Sequence, residues 1–555
     1  MDSSFFFNGL FNGFANDDYA QIINNPIIRS IQNLPTFFSG STFYNWGAQN
    51  LGGYYYKPLM VTFFSSIYSV FNNSASAFHF FQIILCTINA CILFLVLKRF
   101  FNKSLAFVLS IIFLVHPINS EAALYISAAQ EVLFFFFGII SLWILQNYKS
   151  QKALIFSGVF LLCSLLSKET GILFIFVSLL YLLIYNRKLF YPFLGYSISV
   201  LAIYIVLRIH AIGVFAYSAL NVPIGKLTTL NRFLNIPEIF LFYLKTFLFP
   251  LNLASSYQWV YRQIDVSHFL LPLIMDFTFL VVVCFIAVIL YKKFARKYLT
   301  LYIFFSVWFL LGILFHSQIF PLDQTVAERW FYFPIVGLLG MIGVLLEVFH
   351  VNLKNKWVLL VVVFIVALLS FRTIIRSFDW RDYFTIAAHD IKVSKDAYDM
   401  EGNLSYVYLQ QNRCKDAKNY AEKSIQLFPN ATSYINLGVS YFCLSDYKQA
   451  KESFTKALGY GDYYSTYEHL ANLALVYGNP KENINFIKNV SLKKYPQDTK
   501  LWLDLAVIEY KNKEIDNAKS DISQAYSQDQ STQITSVYNV IMNNQPLELD
   551  FTFGK

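Results

Sequence analysis

Charged residues are scarce in this sequence of 555 residues, of which 14% are charged and 56% are hydrophobic. Soluble domains usually contain about 25% charged residues, so the composition excludes a purely soluble protein. Acidic residues are rarest in residues 1–376. This range contains 12 of the 34 Asp and Glu residues and 24 of the 43 Lys and Arg residues. These cations lie between apolar runs, which is typical of membrane proteins and argues against nucleic-acid binding.

Motifs for metal and nucleotide sites are also absent. No CxxC, HExxH or GxxxxGK[ST] pattern occurs, so no metal or cofactor is expected. Cysteine is rare, with six residues, and four of them lie in apolar runs where a small core residue is the usual interpretation. Cys414 and Cys443 lie in the polar C-terminal third. They could pair if that third is extracytoplasmic, although spacing alone does not define a pairing.

Ten apolar runs predict a polytopic transmembrane domain over residues 76–376. The runs are 76–98, 104–117, 121–146, 153–167, 169–186, 189–208, 268–291, 298–316, 327–350 and 357–375. Basic residues follow every second run, and the positive-inside rule places those junctions in the cytoplasm. The intervening loops and the C-terminal third are then extracytoplasmic or lumenal. An apolar stretch at 236–251 would break the alternation, so it is predicted to be interfacial or re-entrant.

Residues 1–75 are predicted to form the first external loop, with helices that lie on the membrane surface. The first 14 residues are too short to span a membrane and lack the basic start of a signal peptide. The loop must nevertheless reach the outer side, because the run at 76–98 enters from there. Either something upstream is missing from the sequence, so that a first transmembrane helix is absent, or the N-terminus is translocated unaided.

The ionisable residues of the apolar part gather in the predicted outer loops. They include Asp17, Asp18, His116, Glu121, Lys168, Glu169, Arg208, Glu328 and Arg329. Each has a plain structural interpretation, such as a solvated pair or a helix end. Glu131 differs, because it lies about ten residues inside its predicted helix, where an unpaired carboxylate costs several kcal/mol. Together these residues predict a functional site at the outer membrane face.

From Tyr398 onward the sequence changes to amphipathic helices with a period near 34 residues. Repeats that begin at Tyr398, Ala431, Ser465 and Thr499 place small residues where paired helices approach each other, as in tetratricopeptide repeats. The alternative is an irregular helical bundle. The pattern predicts a linker helix at 377–397, about four repeats forming an α-solenoid at 398–532, and a tail at 533–555.

Six stretches, followed by repeats, resemble the transmembrane and tetratricopeptide-repeat O-mannosyltransferases and, more widely, the GT-C glycosyltransferases. The stretches are NGFANDDYAQIINNPIIRSI, YKPLMVTFF, LVHPINSEAALYISAAQEVL, LSKETGILF, VAERWFYFPIVGLL and FRTIIRSFDW. The resemblance implies an all-α protein with a GT-C-type membrane domain. It also implies that Asp17 or Asp18 is the catalytic base. Lys168, Arg208 and Arg329 would bind the donor phosphate, and His116, Glu121, Glu131, Glu169 and Glu328 would support the site.

The implied activity is transfer of a hexose, with mannose favoured, from a polyprenyl or dolichyl phosphate to Ser/Thr hydroxyls of an acceptor protein held by the repeats. One base and one displacement would invert the anomeric configuration. The protein would be multi-pass in a bacterial or archaeal plasma membrane or in the endoplasmic reticulum membrane. The alternative is a non-enzymatic, membrane-anchored repeat scaffold for envelope protein assembly, in which the outer-loop charges are dispensable.

Overall fold

The computed structural model describes residues 3–45, 50–213 and 221–547. Helices dominate it, and the sheet in these residues is a single pair of strands, Phe43–Asn45 and Asn50–Gly52. The chain divides into two compact units, residues 1–44 with 51–397 and residues 45–50 with 398–555. The all-α class predicted from the sequence is confirmed.

In its described residues the first unit contains sixteen α-helices. They are α1 (Leu34–Ser39), α2 (Pro58–Phe71), α3 (Ala75–Leu97), α4 (Lys103–Val115), α5 (Ser120–Leu124), α6 (Ala129–Asn147), α7 (Gln151–Ser167), α8 (Ile172–Tyr185), α9 (Arg187–Ile212), α10 (Thr229–Phe233), α11 (Ile236–Leu248), α12 (Leu271–Lys293), α13 (Arg296–Phe315), α14 (Pro334–Val348), α15 (Lys356–Asp379) and α16 (Tyr383–Val393). Short 3₁₀ or π helices form at Ser3–Phe11, Tyr19–Ile23, Pro26–Arg29, Ile31–Asn33, Pro117–Asn119, Ile126–Ala128, Glu169–Gly171, Ile224–Lys226, Val266–Leu270 and Glu328–Tyr332.

Six helices of the described residues are long and apolar enough to cross a membrane, which makes this a multi-pass membrane protein. They are Ala75–Leu97, Ile126–Asn147, Arg187–Ile212, Val266–Lys293, Arg296–Phe315 and Lys356–Asp379. Lys103–Val115 and Pro117–Leu124 form a seventh span if this pair, bent by 53°, is counted as one. The bend falls at Pro117, which has no N–H to continue the hydrogen bonds of the preceding helix.

The described residues also contain four shorter apolar helices of 10–17 residues. They are Pro58–Phe71, Gln151–Ser167, Glu169–Tyr185 and Pro334–Val348. The last of them begins later than the predicted run at 327–350, because Glu328–Tyr332 forms a 3₁₀ helix before Pro334. The stretch predicted to be interfacial or re-entrant contains α11, which has 13 residues.

Glycines allow two of the membrane helices, α13 and α14, to approach closely. A Cβ atom at Gly337 would lie 2.4 Å from the Phe309 backbone nitrogen, and one at Gly340 would lie 2.1 Å from the Phe305 ring. Apolar helices gain little by leaving lipid, so close contact between them is an important source of stability. Larger residues at these two positions would separate α13 from α14.

The second unit is an array of paired helices. They are α17 (Tyr398–Gln410), α18 (Cys414–Leu427), α19 (Ala431–Cys443), α20 (Tyr447–Leu458), α21 (Tyr464–Ala474), α22 (Pro480–Phe486), α23 (Leu492–Lys494), α24 (Thr499–Lys511), α25 (Ile515–Gln528) and α26 (Thr532–Met542), with a π helix at Ile487–Ser491. Cys414 and Cys443 form a disulfide that joins the start of α18 to the end of α19.

The segment predicted to be a tail begins with an ordered helix. Helix α26 packs on α25 and buries Ile534, Val537 and Ile541, while the Tyr538 ring stacks on Tyr526 at 4.3 Å. The three apolar residues recur at helical spacing and cover the last repeat, which explains why the order continues past residue 533. Residues 548–555 of the predicted tail lie outside the described residues.

Candidate functional site

Asp18 is a fully engaged buried carboxylate, with an exposed fraction of 1%. Its Oδ1 atom accepts hydrogen bonds from the Ser127 backbone nitrogen at 2.8 Å and from Ser127 Oγ at 2.6 Å, and its Oδ2 atom accepts one from the Ala15 backbone nitrogen at 2.9 Å. Burial raises the pKa of this carboxyl to about 7, and the hydrogen bonds act in the opposite direction. Asp18 therefore anchors the loop of residues 12–18, here called the Asp loop, to residues 126–128.

Asp17, the neighbouring acid, has an exposed side chain. The Tyr125 hydroxyl accepts a hydrogen bond from the Asp17 backbone nitrogen at 3.2 Å and also bonds the carboxyl group. Desolvation by the surrounding protein raises the pKa of Asp17 above its ordinary value of 3.8, whereas the charges of Arg329 and Lys57 act to lower it. The Asp17 carboxylate is thus exposed and within electrostatic range of both cations, and it can receive a proton from a bound molecule.

Glu131 finds its partner in Lys168. Lys168 Nζ lies 2.5 Å from Glu131 Oε1, and both side chains are buried. Glu131 is in the first turn of α6, so the prediction that it lies ten residues inside a helix is wrong. The predicted run is interrupted at Tyr125, whose extended backbone separates α5 from the residues that follow. Lys168 is thus paired with Glu131 on α6, although Glu169 is its neighbour in the sequence.

We expect Lys168→Met to lower the free energy of unfolding by about 3–5 kcal/mol, because the Glu131 carboxylate would remain buried without its partner. The double variant Lys168→Met, Glu131→Leu should lose much less stability, because it leaves no charge buried. Thermal unfolding of the detergent-solubilised protein compares the two variants. A double variant that is no more stable than the single one would show that Lys168 does not offset the Glu131 charge.

A second buried ion pair joins Glu121 to Arg329. Arg329 Nη1 donates to Glu121 Oε1, and the Arg329 backbone nitrogen donates to Glu121 Oε2 at 2.8 Å. The Glu121 side chain is fully buried. This pair connects α5, which follows the Pro117 bend, to the 3₁₀ helix at Glu328–Tyr332, and it fixes the guanidinium whose charge acts on Asp17.

Glu328 and His116 are oriented toward other elements. Glu328 Oε1 accepts hydrogen bonds from the Ala254 backbone nitrogen at 2.6 Å and from the Tyr257 hydroxyl at 2.8 Å. His116 Nδ1 accepts from the Ile118 backbone nitrogen at 3.2 Å, and its Nε2 atom lies 3.0 Å from the Phe247 carbonyl oxygen. Both side chains therefore support the loops around the site.

A further group of charges surrounds Glu169, namely Lys57, Lys168 and Arg208. Arg208 donates from Nη1 to the Tyr204 hydroxyl at 3.2 Å and from Nη2 to the Tyr54 carbonyl oxygen at 3.3 Å. These bonds direct the guanidinium near the end of α9 toward the segment that precedes α2. In the described residues, no group of three or more His, Cys, Asp or Glu residues is placed to hold a metal ion.

Lys57 was missed as a site residue by the sequence analysis, and Asp323 received no role there. The Lys57 side chain is buried, lies over the Tyr55 ring at 4.3 Å and faces Glu169, Lys168 and Asp323. The charge of Asp323 also acts to raise the pKa of Asp17 and of Arg329. The signal for Lys57 was its position directly before Pro58 in the YKPLMVTFF stretch, as the only cation between residues 30 and 97.

Comparison with known proteins agrees with these motifs. A family model described as dolichyl-phosphate-mannose-protein mannosyltransferase matches residues 56–212, and a tetratricopeptide repeat model matches residues 431–460. A protein O-mannosyl-transferase of Caenorhabditis elegans is 24% identical over 432 residues, which cover 75% of this chain and 60% of that protein. The chain is similar to protein O-mannosyl-transferases over most of its length. This confirms the resemblance predicted from the motifs.

A second relative extends the match. The Homo sapiens protein O-mannosyl-transferase TMTC3 is 22% identical over 494 residues, which cover 81% of this chain and 53% of that protein. The chain thus spans between half and two thirds of the length of these two relatives. The crystal structure of ArnT from Cupriavidus metallidurans, bound to undecaprenyl phosphate, matches with a TM-score of 0.36 and 13% identity, over 89% of this chain and 78% of that one.

Proposed function

We propose that this protein is a membrane glycosyltransferase that moves a mannose from a polyprenyl or dolichyl phosphate to Ser/Thr hydroxyls of an acceptor protein. The observation that carries the proposal is the exposed Asp17 carboxylate, on which the charges of Arg329 and Lys57 act. The description of the family model that matches residues 56–212 supports a dolichyl-phosphate sugar as donor. The similarity to protein O-mannosyl-transferases supports a protein as acceptor.

Asp17 is the base of this reaction. Its carboxylate takes the proton of the acceptor hydroxyl while the hydroxyl oxygen attacks the anomeric carbon. The bond between that carbon and the phosphate oxygen breaks, and the lipid phosphate leaves with the electron pair. A single displacement from the opposite face inverts the anomeric configuration. Asp18 cannot take this role, because its oxygens already accept three hydrogen bonds from the protein.

Four cations would serve the donor phosphate. Lys57, Lys168 and Arg208 surround Glu169, and Arg329 faces Asp17. Charge-assisted hydrogen bonds from such groups stabilise the negative charge that develops on a leaving phosphate. Glu131 and Glu121 hold two of the cations, Lys168 and Arg329, in place before substrate binds. These two cations therefore do not have to move when the negative charge develops on the phosphate.

The decisive experiment is a transfer assay. Purified protein is incubated with radiolabelled polyprenyl-phosphate mannose and with peptides that contain Ser and Thr, and the label in the peptide is counted. Transfer by the wild type, together with its loss in Asp17→Asn, would support the proposal. Transfer that is absent in the wild type with both polyprenyl and dolichyl donors would contradict it. The scaffold alternative requires the Asp17 variant to behave like the wild type in the cell.

We also propose that the Asp loop and the repeats lie on the same, extracytoplasmic side of the membrane. The alternation of basic junctions supports this sidedness. The disulfide between Cys414 and Cys443 supports it as well, because disulfides persist mainly in oxidising compartments.

Cysteines at the exposed positions Gln32 and Thr455 should therefore react with a membrane-impermeant thiol reagent in intact cells. The background replaces the four cysteines other than Cys414 and Cys443 by serine, namely Cys86, Cys91, Cys163 and Cys284. A cysteine at exposed Ser104, in the first basic junction, is the control and should react only after permeabilisation. Labelling of position 104 in intact cells would reverse the assigned orientation.

A further inference from the structure

The two acids of the Asp loop contact one short segment, which runs from the end of α5 into the 3₁₀ helix at Ile126–Ala128. Tyr125 has an extended backbone there, and its hydroxyl accepts a hydrogen bond from the Asp17 backbone nitrogen at 3.2 Å. Two residues later, Ser127 donates to Asp18 Oδ1 from its backbone nitrogen and from Oγ. Each acid therefore has its own partner on this segment.

Tyr125 is fixed by contacts with three other elements. Its ring stacks on the buried Trp380 ring after α15, with 5.3 Å between the centroids. Its carbonyl oxygen accepts a hydrogen bond of 2.7 Å from Gln82 Nε2 on α3, and the same nitrogen donates to the Ala122 carbonyl oxygen on α5 at 2.7 Å. The Tyr125 side chain is itself buried. The position of the hydroxyl is thus set by the packing of the membrane domain.

The hydroxyl has the bonding capacity that Asp17 requires. A phenol oxygen can accept one hydrogen bond while its proton is donated to another group. Here the oxygen accepts from the Asp17 backbone, and the hydroxyl also bonds the Asp17 carboxyl group. A donor to a carboxylate stabilises the charged form and so acts to lower the pKa of that carboxyl. The charged groups that act on Asp17 from other segments are Arg329, Lys57 and Asp323, and Asp18 is its neighbour in the chain.

We propose that Tyr125 is a positioning residue that holds the Asp17 backbone and carboxylate in the orientation in which Asp17 takes the proton of the acceptor hydroxyl. The inference rests on the proposed transfer function. Tyr125 acts through Asp17, because its hydroxyl contacts both the main chain and the side chain of that residue. Ser127 holds Asp18 from the same segment, so the segment directs one acid toward substrate and retains the other.

Tyr125→Phe tests the proposal, because it keeps the ring that stacks on Trp380 and removes only the hydroxyl. We expect kcat to fall by about tenfold while the donor KM changes by less than about twofold, since the cations assigned to the phosphate are untouched. The acidic limb of the kcat profile should also move to higher pH. Loss of a hydrogen bond to the carboxylate raises the Asp17 pKa, so the base becomes protonated at a higher pH.

The matched control is Tyr467→Phe in the repeats. It also removes a tyrosine hydroxyl that donates to a carboxylate, Asp462 Oδ1 at 2.6 Å. With donor and acceptor saturating, this variant should keep the wild-type kcat and acidic limb. A fall in kcat in Tyr125→Phe without a shift of the limb would overturn the proposal and leave Tyr125 a structural role. Wild-type values of both quantities in Tyr125→Phe would overturn it as well.

A second readout does not depend on sugar transfer. A water-soluble carbodiimide with glycine ethyl ester labels exposed carboxyl groups in their protonated form, and fragmentation mass spectrometry quantifies the label on Asp17 at each pH. Labelling of Asp17 should persist to higher pH in Tyr125→Phe than in the wild type, and an unchanged midpoint would overturn the inference.

The labelling experiment also separates the inference from the proposed function. A wild type that transfers no sugar would contradict the function, while the Asp17 midpoint would still report whether Tyr125 holds this carboxyl. If Tyr125→Phe does not fold, Gln82→Met replaces it, because this change releases the Tyr125 carbonyl oxygen. It should shift the Asp17 midpoint in the same direction, and an unshifted midpoint would then overturn the inference.

Discussion

Asp17→Asn should reduce kcat for sugar transfer by roughly 10²–10⁴-fold, the usual contribution of a general base. Asparagine keeps the size of the side chain but cannot accept a proton at neutral pH. The Asp17 side chain is exposed, so the unfolding midpoint should stay close to that of the wild type. The measurement is the initial rate of mannose transfer to a Ser/Thr peptide at saturating donor, together with thermal unfolding.

The matched control is Asp18→Asn in the same loop. This change replaces an oxygen that accepts hydrogen bonds inside the protein, so it should lower the unfolding midpoint as well as the rate. The two variants therefore separate a lost base from a displaced loop. Full activity in Asp17→Asn, with loss of activity only in Asp18→Asn, would show that Asp17 is not the base.

The pH dependence of transfer reports on the same group. The base must be deprotonated, and the surrounding protein raises the Asp17 pKa above its ordinary value of 3.8. Activity should therefore fall as the pH decreases through this raised value, at a higher pH than for an ordinary aspartate. Arg329 lowers the Asp17 pKa, so replacing Arg329 by alanine should move this acidic limb to still higher pH.

Arg329→Ala has the second large expected effect. It should abolish high-affinity binding of the lipid phosphate, and it should destabilise the protein by about 3–5 kcal/mol, because Glu121 would remain buried without its partner. Arg329→Lys should recover only part of both losses, because an ammonium group cannot reproduce the bidentate geometry of a guanidinium group. Binding of polyprenyl phosphate and thermal unfolding measure the two effects separately.

The control for stability is the double variant Arg329→Gln, Glu121→Gln, which leaves no buried charge. It should be more stable than Arg329→Ala but should still fail to bind the donor. Donor affinity that is restored in this double variant would contradict a direct role of Arg329 at the phosphate. The pair would then be a structural ion pair that supports the loops.

Hydropathy and the spacing of basic residues are enough to predict a multi-pass helical protein. The period near 34 residues is enough to predict the repeats that begin at Tyr398. These signals depend on residues that are near one another in the sequence, and the local physics of lipid and helix period acts on them directly. The letters DD, HPINSE, SKE and AER in the stretches quoted above likewise indicate the segments in which Asp17, Glu121, Lys168 and Arg329 occur. The spacing of the apolar runs did not reveal the breaks at Tyr125 and before Pro334.

The roles within the site required the tertiary structure. Lys168 and Glu131 are 37 residues apart in the chain, and Arg329 and Glu121 are 208 residues apart. Asp17 and Asp18 are adjacent, yet only the packing of residues 126–128 against the Asp loop makes one a buried acceptor and leaves the other exposed. Which charge is paired, and which is open to a substrate, depends on burial and on contacts between distant segments, and neither is encoded in local sequence spacing.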